Sequence, residues 1–386
     1  MLDPRRSGSP PFDRALVELA KRARVLPALH PRNAADERAR LTTELEAGRM
    51  PVPRWEPLER RDVRGLVSAL DRIRHALERE LPTELVALYA ARLDELELDV
   101  ALLDALGDPR RVRPIAARRF GTGREVIDGR ALEAHARALL AHTPSSEDPP
   151  TIEARGLAAM MERASRAVGL AVTVRVDPRL SAGAAAGDHT IFVQERRFGP
   201  IEARRLVAHE VLGHAVAGAR GAREPLAIFE VGSAGSFADQ EGLAIVLEEH
   251  ASALDGARLR VLAARVLATD LMHDGASFGD AARALVERAG LSSRVAITTA
   301  ERAYRGGGVA RDAGYLAGWL RVRGALARGE ATIDELRAGR LGLAALPALR
   351  WAYAHGRASR HPSIDLDGVL REAGCPEGTA PAPTLP

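Results

Sequence analysis

Hydrophobic residues recur at helical spacing through most of the chain, while two short stretches alternate apolar and polar residues instead. The alternating, β-branched stretches 171-AVTVRV and 190-TIFVQ predict two strands. The stretch 108–123 is predicted to be an irregular basic connection, and 143-TPSSEDPP is predicted to be a linker. Leucines and alanines three and four positions apart predict helices over 13–29, 58–80, 83–106, 130–142, 151–168, 200–219 and 239–254. The pattern therefore predicts a mostly α fold with a small β-sheet.

The composition indicates a core built from Leu, Ala and Val, because hydrophobic residues make up 46% of the chain and aromatic residues only 4%. The net charge is +3, and Lys21 is the only lysine, so the positive charge is almost entirely arginine. Arginines alternate with acidic residues, as in 71-DRIRHALERELPTEL. That pattern is typical of solvated helix faces, so we expect no nucleic-acid partner.

A single cysteine, Cys375, excludes an internal disulfide and a cysteine-based metal site. The first residues, MLDPRRSGSPP, lack the apolar stretch of a signal peptide. No apolar run reaches the roughly 18 residues that a bilayer-spanning helix needs. The sequence therefore predicts a cytoplasmic protein without a membrane segment.

One predicted helix carries an unusual histidine pair, 209-HEVLGH. His209 and His214 are five positions apart, which is about 140° around a regular helix, whereas a spacing of four gives about 40°. A π-bulge absorbs one residue and would return the pair to about 40°. Gly213 has no side chain to resist such a distortion. The pair is therefore either a metal site on a bulged helix or two unrelated histidines.

The next predicted helix, 239-DQEGLAIVLEEH, offers a third ligand in Glu241. Two histidines and a glutamate form one of the zinc ligand sets of catalytic sites, in which a fourth position stays open. Glu248 lies about two helical turns further along the same face. It either orients a ligating histidine through a hydrogen bond or, like Glu249, belongs to a solvated surface.

HEVLGH followed by QEGLA resembles the QEGLA-motif proteins, known in bacteria as flavohaemoglobin-expression-modulating proteins and related to the microtubule-associated tyrosine carboxypeptidases. The stretches 118-RRFGTG and 301-ERAYRGGGVARDAGYLAG are similar to further segments of that family, so the resemblance covers about 115–330. It implies a zincin-like metallopeptidase core with a bulged H-E-x-x-x-H helix and a following glutamate helix. The implied Zn²⁺ ligands are His209, His214 and Glu241, and the implied general base is Glu210.

The resemblance also implies a zinc-dependent metallocarboxypeptidase whose partner is the C-terminal tail of a peptide or protein. Arginine binds carboxylates with a bidentate fork. Arg302, Arg305 and Arg311 are therefore candidates for holding the terminal carboxylate, although in so arginine-rich a chain a surface charge is the simpler interpretation of any single one. Tyr315 either donates a hydrogen bond to the oxyanion formed during hydrolysis or packs in the core.

Two other functions fit the same residues. One is a zinc endopeptidase or peptide-maturation protease. The other is a non-catalytic regulator with structural zinc, which would need a fourth protein ligand and would not need Glu210. We expect a helical N-terminal region over 1–114, a zinc metallopeptidase catalytic domain over 115–374 and a flexible tail over 375–386.

Overall fold

The computed structural model describes residues 10, 12–58, 61–143 and 149–380, and these residues form many helices and two small sheets. The predicted fold class, mostly α with a small β-sheet, is confirmed. Most of the predicted linker and the last six residues of the predicted tail lie outside the described residues. None of the helices in the described ranges combines the length and apolarity that a bilayer crossing requires.

The first part of the chain is helical, but the structure differs from the prediction over 13–29 and over 108–123. The predicted helix over 13–29 ends at Arg22, and a separate 3₁₀ turn covers Leu26–Leu29 with Pro27 near its start, since proline disfavours a continuing helix before it. The helices here are α1 (Asp13–Arg22), α2 (Ala34–Glu46), α3 (Arg64–Glu80), α4 (Thr83–Ala105), α5 (Pro109–Phe120) and α6 (Leu132–His142).

Helix α5 replaces the irregular connection that the sequence predicted over 108–123. The Asp108 side chain caps the helix by accepting a hydrogen bond from the backbone N–H of Arg110 at 3.0 Å, and Pro109 occupies the first helical position. Gly121, with φ of 85°, ends it. The capping signals were present in the sequence, but the arginine-rich composition obscured them. A short hairpin follows, formed by β1 (Val126–Ile127) and β2 (Arg130–Ala131).

A three-stranded sheet follows helix α7 (Ala154–Ala167). Both predicted strands are confirmed, as β3 (Thr173–Asp177) and β5 (Thr190–Gln194), and they pair in parallel. The third strand, β4 (Ala184–Ala186), pairs antiparallel with β5 and forms an edge of the sheet. It was not predicted, because alanines carry neither alternation nor high β-propensity.

The remainder of the chain is helical, beginning with a long helix over residues 200–221 whose middle is a π-helix. Its parts are α8 (Pro200–Leu206), the π segment (Val207–Ala215) and α9 (Val216–Gly221). The later helices are α10 (Ile228–Val231), α11 (Ser236–His250), α12 (Gly256–His273), α13 (Phe278–Ala289), α14 (Ser293–Tyr304), α15 (Ala313–Ala327), α16 (Ile333–Leu336), α17 (Leu346–Ala354) and α18 (Leu366–Glu372).

The largest hydrophobic core extends across the predicted boundary between 1–114 and 115–374. Leu93 and Leu103 of α4 belong to the same buried cluster as Leu243 of α11 and Trp319 of α15. The N-terminal helices therefore share a core with the helices that carry the candidate site. The division into two domains stays a prediction.

The described part of the predicted flexible tail is attached to the body of the protein. Arg204 donates a hydrogen bond to the carbonyl oxygen of Pro376 at 3.0 Å, and the backbone N–H of Ala380 donates one to Ser252 at 2.9 Å. Ala380 is buried. That residues 375–386 form a flexible tail stays a prediction.

Helices α11 and α15 cross at two glycines, and this crossing positions the site. A Cβ atom on Gly242 would lie 2.2 Å from the carbonyl carbon of Gly318, and one on Gly318 would lie 1.8 Å from the carbonyl oxygen of Ala238. The two backbones therefore approach more closely than any side chain would allow. Glu241 and Tyr315 are carried on this pair of helices.

Candidate metal centre

The histidine pair lies on the widened turn that its spacing predicts. The backbone N–H of Val216 bonds to the carbonyl oxygen of Val211, five residues earlier, at the end of the π segment. Gly213 faces α11, and a Cβ atom there would lie 3.2 Å from the Cβ of Ala244. The missing side chain thus lets the π segment pack tightly against the helix that carries Glu241.

Three ligand atoms converge where the π segment meets α11. The Nε2 atoms of His209 and His214 are 3.1 Å apart. Glu241 Oε2 lies 3.3 Å from the Nε2 of His209 and 3.5 Å from that of His214. Among the described residues these three form the one group of His, Cys, Asp and Glu side chains arranged to hold a metal ion.

The electrostatics of this group favour a cation. Glu241 Oε2 is buried and has no hydrogen-bond partner within the described part of the chain. Burial by itself would lower the pKa of His209, but the carboxylates of Glu241 and Glu248 outweigh burial and raise that pKa to about 10. The histidines in turn hold the pKa of Glu241 well below its usual value, against the effect of burial. A positive charge is therefore stabilised at this point.

Glu248 and Arg258 hold His209 in position. Glu248 Oε1 accepts a hydrogen bond from His209 Nδ1 at 2.7 Å, which leaves Nε2 directed at the converging group. Arg258 binds both oxygens of Glu248, at 2.9 and 3.0 Å. Burial would raise the pKa of Glu248, but Arg258 and His209 lower it to about 2. Glu248 is 1% exposed, so it does not belong to a solvated surface.

Glu210 is turned towards the edge strand of the sheet. Its Oε2 accepts a hydrogen bond from the backbone N–H of Ala186 in β4 at 2.8 Å. Glu210 is buried but also lines the cavity beside the converging group. The Glu210 carboxylate therefore lies next to His209, a candidate ligand, and next to an edge strand to which a peptide in extended form could add by β-augmentation.

Two cavities flank the candidate metal centre. The larger, of about 680 Å³, is lined by His209, Glu210 and Tyr315 and is called the main cavity below. The smaller, of about 350 Å³, is lined by His214 and Glu241. Both cavities are open to solvent, and each borders part of the converging group.

Tyr315 lies on α15 at the wall of the main cavity and is 8% exposed. Its ring packs edge-to-face on Phe237 with centroids 6.0 Å apart. Burial and the charge of Glu241 raise the pKa of the Tyr315 phenol. Tyr315 therefore stays a hydrogen-bond donor at neutral pH.

The three predicted carboxylate-binding arginines are placed differently from one another. Arg302 lines the main cavity and its guanidinium is bonded to Asp312. Arg305 and Arg311 are not among the residues that line it. Arg305 is buried, and Arg311 stacks over the Phe237 ring at 4.2 Å. Only Arg302 of the three is placed to meet a molecule in the main cavity.

Several residues around the site were not identified from the sequence. Gln240 donates to the carbonyl oxygens of Leu336 and Leu341, at 2.9 and 2.7 Å, and so anchors the helix that carries Glu241. The sequence signal for this anchor was Gln240 itself, a polar residue within a largely apolar helix. Arg258 and Arg265 on α12 both line the main cavity. They are seven positions apart, a spacing that places two residues on the same face of a helix.

The fold and the site together define a mostly helical protein with a three-residue candidate metal centre in an open cleft. The family model described as microtubule-associated tyrosine carboxypeptidase matches residues 44–363. The chain therefore belongs to the microtubule-associated tyrosine carboxypeptidase family, and this membership supports a carboxypeptidase type of activity. The match begins within the predicted N-terminal region 1–114, whereas the family resemblance in the sequence covered only about 115–330. Comparison with curated proteins and with solved structures gave no significant match.

Proposed function

We propose that this protein is a zinc-dependent carboxypeptidase with a zincin-like core, in which His209, His214 and Glu241 hold the metal. The observation that carries the proposal is the triangle formed by their three ligand atoms, with sides of 3.1, 3.3 and 3.5 Å. Tetrahedral zinc with bonds of about 2.0–2.1 Å needs ligand atoms about 3.3–3.4 Å apart. Two imidazoles and a carboxylate are also donors that suit zinc.

The number of ligands favours a catalytic site over a structural one. Structural zinc has four protein ligands, whereas catalytic zinc has three and an open position. The group found in the described residues contains three. It also adjoins two open cavities, which a closed structural site would not need. The site therefore supports a non-catalytic regulator with structural zinc less well than it supports an enzyme.

Glu210 acts as the general base in this proposal. When bound, zinc supplies an acidified water and a Lewis acid for the substrate carbonyl. Glu210 adjoins His209 and lines the same cavity, so its carboxylate takes the proton of the attacking water and returns it to the leaving amine. The hydrogen bond from Ala186 fixes one carboxylate oxygen and leaves the other for this transfer.

Tyr315 and Arg302 are assigned to the substrate. The Tyr315 phenol, kept protonated by its raised pKa, donates a hydrogen bond to the developing oxyanion. Arg302 contributes positive charge to the cavity wall, where it is held by Asp312. The substrate is the C-terminal tail of a peptide or protein, bound in extended form along β4. Family membership favours removal of a C-terminal residue over cleavage within a chain.

The test is to incubate zinc-loaded protein with a library of peptides that differ at the C-terminus and to read the products by mass spectrometry. We expect loss of C-terminal residues from part of the library. Glu210→Gln is the matched control, because the amide cannot accept the proton while the ligands stay intact. Cleavage of internal bonds, or near-normal hydrolysis by Glu210→Gln, would refute the proposed reaction.

A further inference from the structure

We propose that Arg265 is the residue that recognises the free C-terminal carboxylate of the substrate, and so determines exopeptidase specificity. This inference rests on the proposed function and deepens it. Arg265 lies on α12 and lines the main cavity together with His209, Glu210 and Tyr315. It was not among the arginines that the sequence indicated.

The guanidinium of Arg265 lies in the cavity wall, where two of its three nitrogens lack a hydrogen-bond partner among the described residues. Its Nε and Nη1 atoms are buried and make no hydrogen bond in the part of the chain that the structure describes. The group stacks on the Tyr315 ring, with its carbon 4.4 Å from the ring centre. The carboxylate of Asp312 lies 3.9 Å from Nε, which is beyond hydrogen-bond distance.

Two carboxylates of this region, those of Asp312 and Glu248, are hydrogen-bonded to other arginines. Asp312 is bonded to Arg302 and also lies 3.8 Å from Arg311. Glu248 is bound by Arg258 through both oxygens. Within the described residues Arg265 therefore shares Asp312 at a distance and has no carboxylate hydrogen-bonded to it.

This surplus charge is costly in the free protein. Burial and the nearby Arg302 lower the pKa of Arg265 to about 10, so it still carries its charge at neutral pH. Buried charges are normally paired, because an unpaired one loses its hydration without compensation. An anion in the main cavity would supply the missing partner.

The position of Arg265 points to the terminal carboxylate as that anion. Tyr315 lies close to both Arg265 and Glu241, since the guanidinium of Arg265 stacks on its ring and the charge of Glu241 helps to raise the pKa of its phenol. A peptide whose last carbonyl is polarised at the metal centre and bonded by Tyr315 would carry its terminal carboxylate beyond Tyr315. The planar guanidinium of Arg265 offers a fork of donors that suits the two oxygens of a carboxylate.

The experiment measures binding rather than turnover, in a Glu210→Gln background with zinc bound. The probes are a fluorescent peptide with a free C-terminus and the same peptide with a C-terminal amide. We expect the free acid to bind about 10- to 150-fold more tightly, as one charged hydrogen-bonded contact predicts. Adding Arg265→Met should remove this preference, and adding Arg265→Lys should keep only part of it, because lysine retains the charge without the fork.

The matched control is Arg260→Met on the same helix. Arg260 donates to the carbonyl oxygens of Leu140 and Ala289 and does not line the main cavity. It should leave the acid preference unchanged. In thermal unfolding, Arg265→Met should be at least as stable as the parent, because it removes an unpaired buried charge. A purely structural arginine would instead destabilise the fold when removed.

The inference is overturned if the acid preference survives in Arg265→Met, or if Glu210→Gln binds acid and amide equally. It is also overturned if Arg260→Met abolishes the preference as fully as Arg265→Met does. Turnover by the wild-type protein separates these results from failure of the proposed function. If wild-type protein still removes C-terminal residues, the carboxypeptidase stands and only the role of Arg265 is wrong.

Discussion

His209 and His214 are five positions apart in the chain, yet their Nε2 atoms lie 3.1 Å from each other. A regular helix would hold them about 140° apart, and the π segment closes that angle. Two elements then complete the arrangement: α11 brings Glu241 within 3.5 Å of both imidazoles, and β4 holds Glu210. The site thus depends on a local helix distortion and two close packing contacts.

The first prediction concerns metal content. Purified protein should bind one zinc ion per chain, because the described residues contain one converging ligand group. Glu241→Ala should reduce the zinc content strongly by removing a ligand. Glu249→Gln is the control, since Glu249 lies on the same helix but bonds Trp319 and Arg323 instead. Elemental analysis after dialysis gives the stoichiometry, and equal zinc in both variants would contradict the assigned ligands.

The second prediction concerns the residue that orients His209. Glu248→Gln should weaken zinc binding by about 10- to 100-fold, as is usual for groups that hold a metal-ligating histidine. The physical reason is that an amide accepts the hydrogen bond from Nδ1 less strongly than a carboxylate does, and Arg258 loses its counter-ion. Competition with a chelator of known affinity measures the change. Unaltered affinity would mean that Glu248 serves only to pair Arg258.

The third prediction concerns the crossing of α11 and α15. Gly242→Ala should lower the free energy of unfolding by about 1–3 kcal/mol or more, because the added methyl group would overlap the backbone of Gly318. It should also weaken zinc binding, since α11 carries Glu241. Gly65→Ala on α3 is the control: the nearest atom to its added Cβ is 3.9 Å away, and alanine is the better helix former. Equal unfolding free energies for the two variants would show that the crossing tolerates a side chain.

The fourth prediction concerns Tyr315. Tyr315→Phe should lower kcat by a factor of about 10²–10³, which is the usual effect of losing one hydrogen-bond donor to an oxyanion. The change in KM should be smaller. Because the pKa of Tyr315 is raised, the phenol remains protonated through neutral and moderately alkaline pH. A rise in KM alone would assign Tyr315 to substrate binding.

The candidate ligands could be identified from the sequence because each carries a local signal. The histidine spacing predicted a helix distortion through angular arithmetic alone, and the structure has it as the π segment. Glu241 followed from the family motif and from its place on the next helix. Local patterns of this kind survive folding because neighbours in the chain determine them.

The rest of the site depends on long-range packing, which one sequence does not reveal. Arg302, Arg305 and Arg311 lie in one short segment, yet only Arg302 lines the main cavity. Arg265 comes from another helix and reaches the cavity through the packing of α12 against α15. Strand β4 was also missed, since its alanines form a strand only because β5 offers a partner. Tertiary contacts rather than local propensity decide such features.

The most direct test of the central claim compares one peptide with a free C-terminus and its C-terminal amide, each incubated with zinc-loaded protein. Mass spectrometry should show loss of the last residue from the free acid and little change in the amide. A chelator should stop the reaction, added zinc should restore it, and Glu210→Gln should not perform it. Equal cleavage of acid and amide, or hydrolysis that persists without metal, would contradict a zinc carboxypeptidase centred on His209, His214 and Glu241.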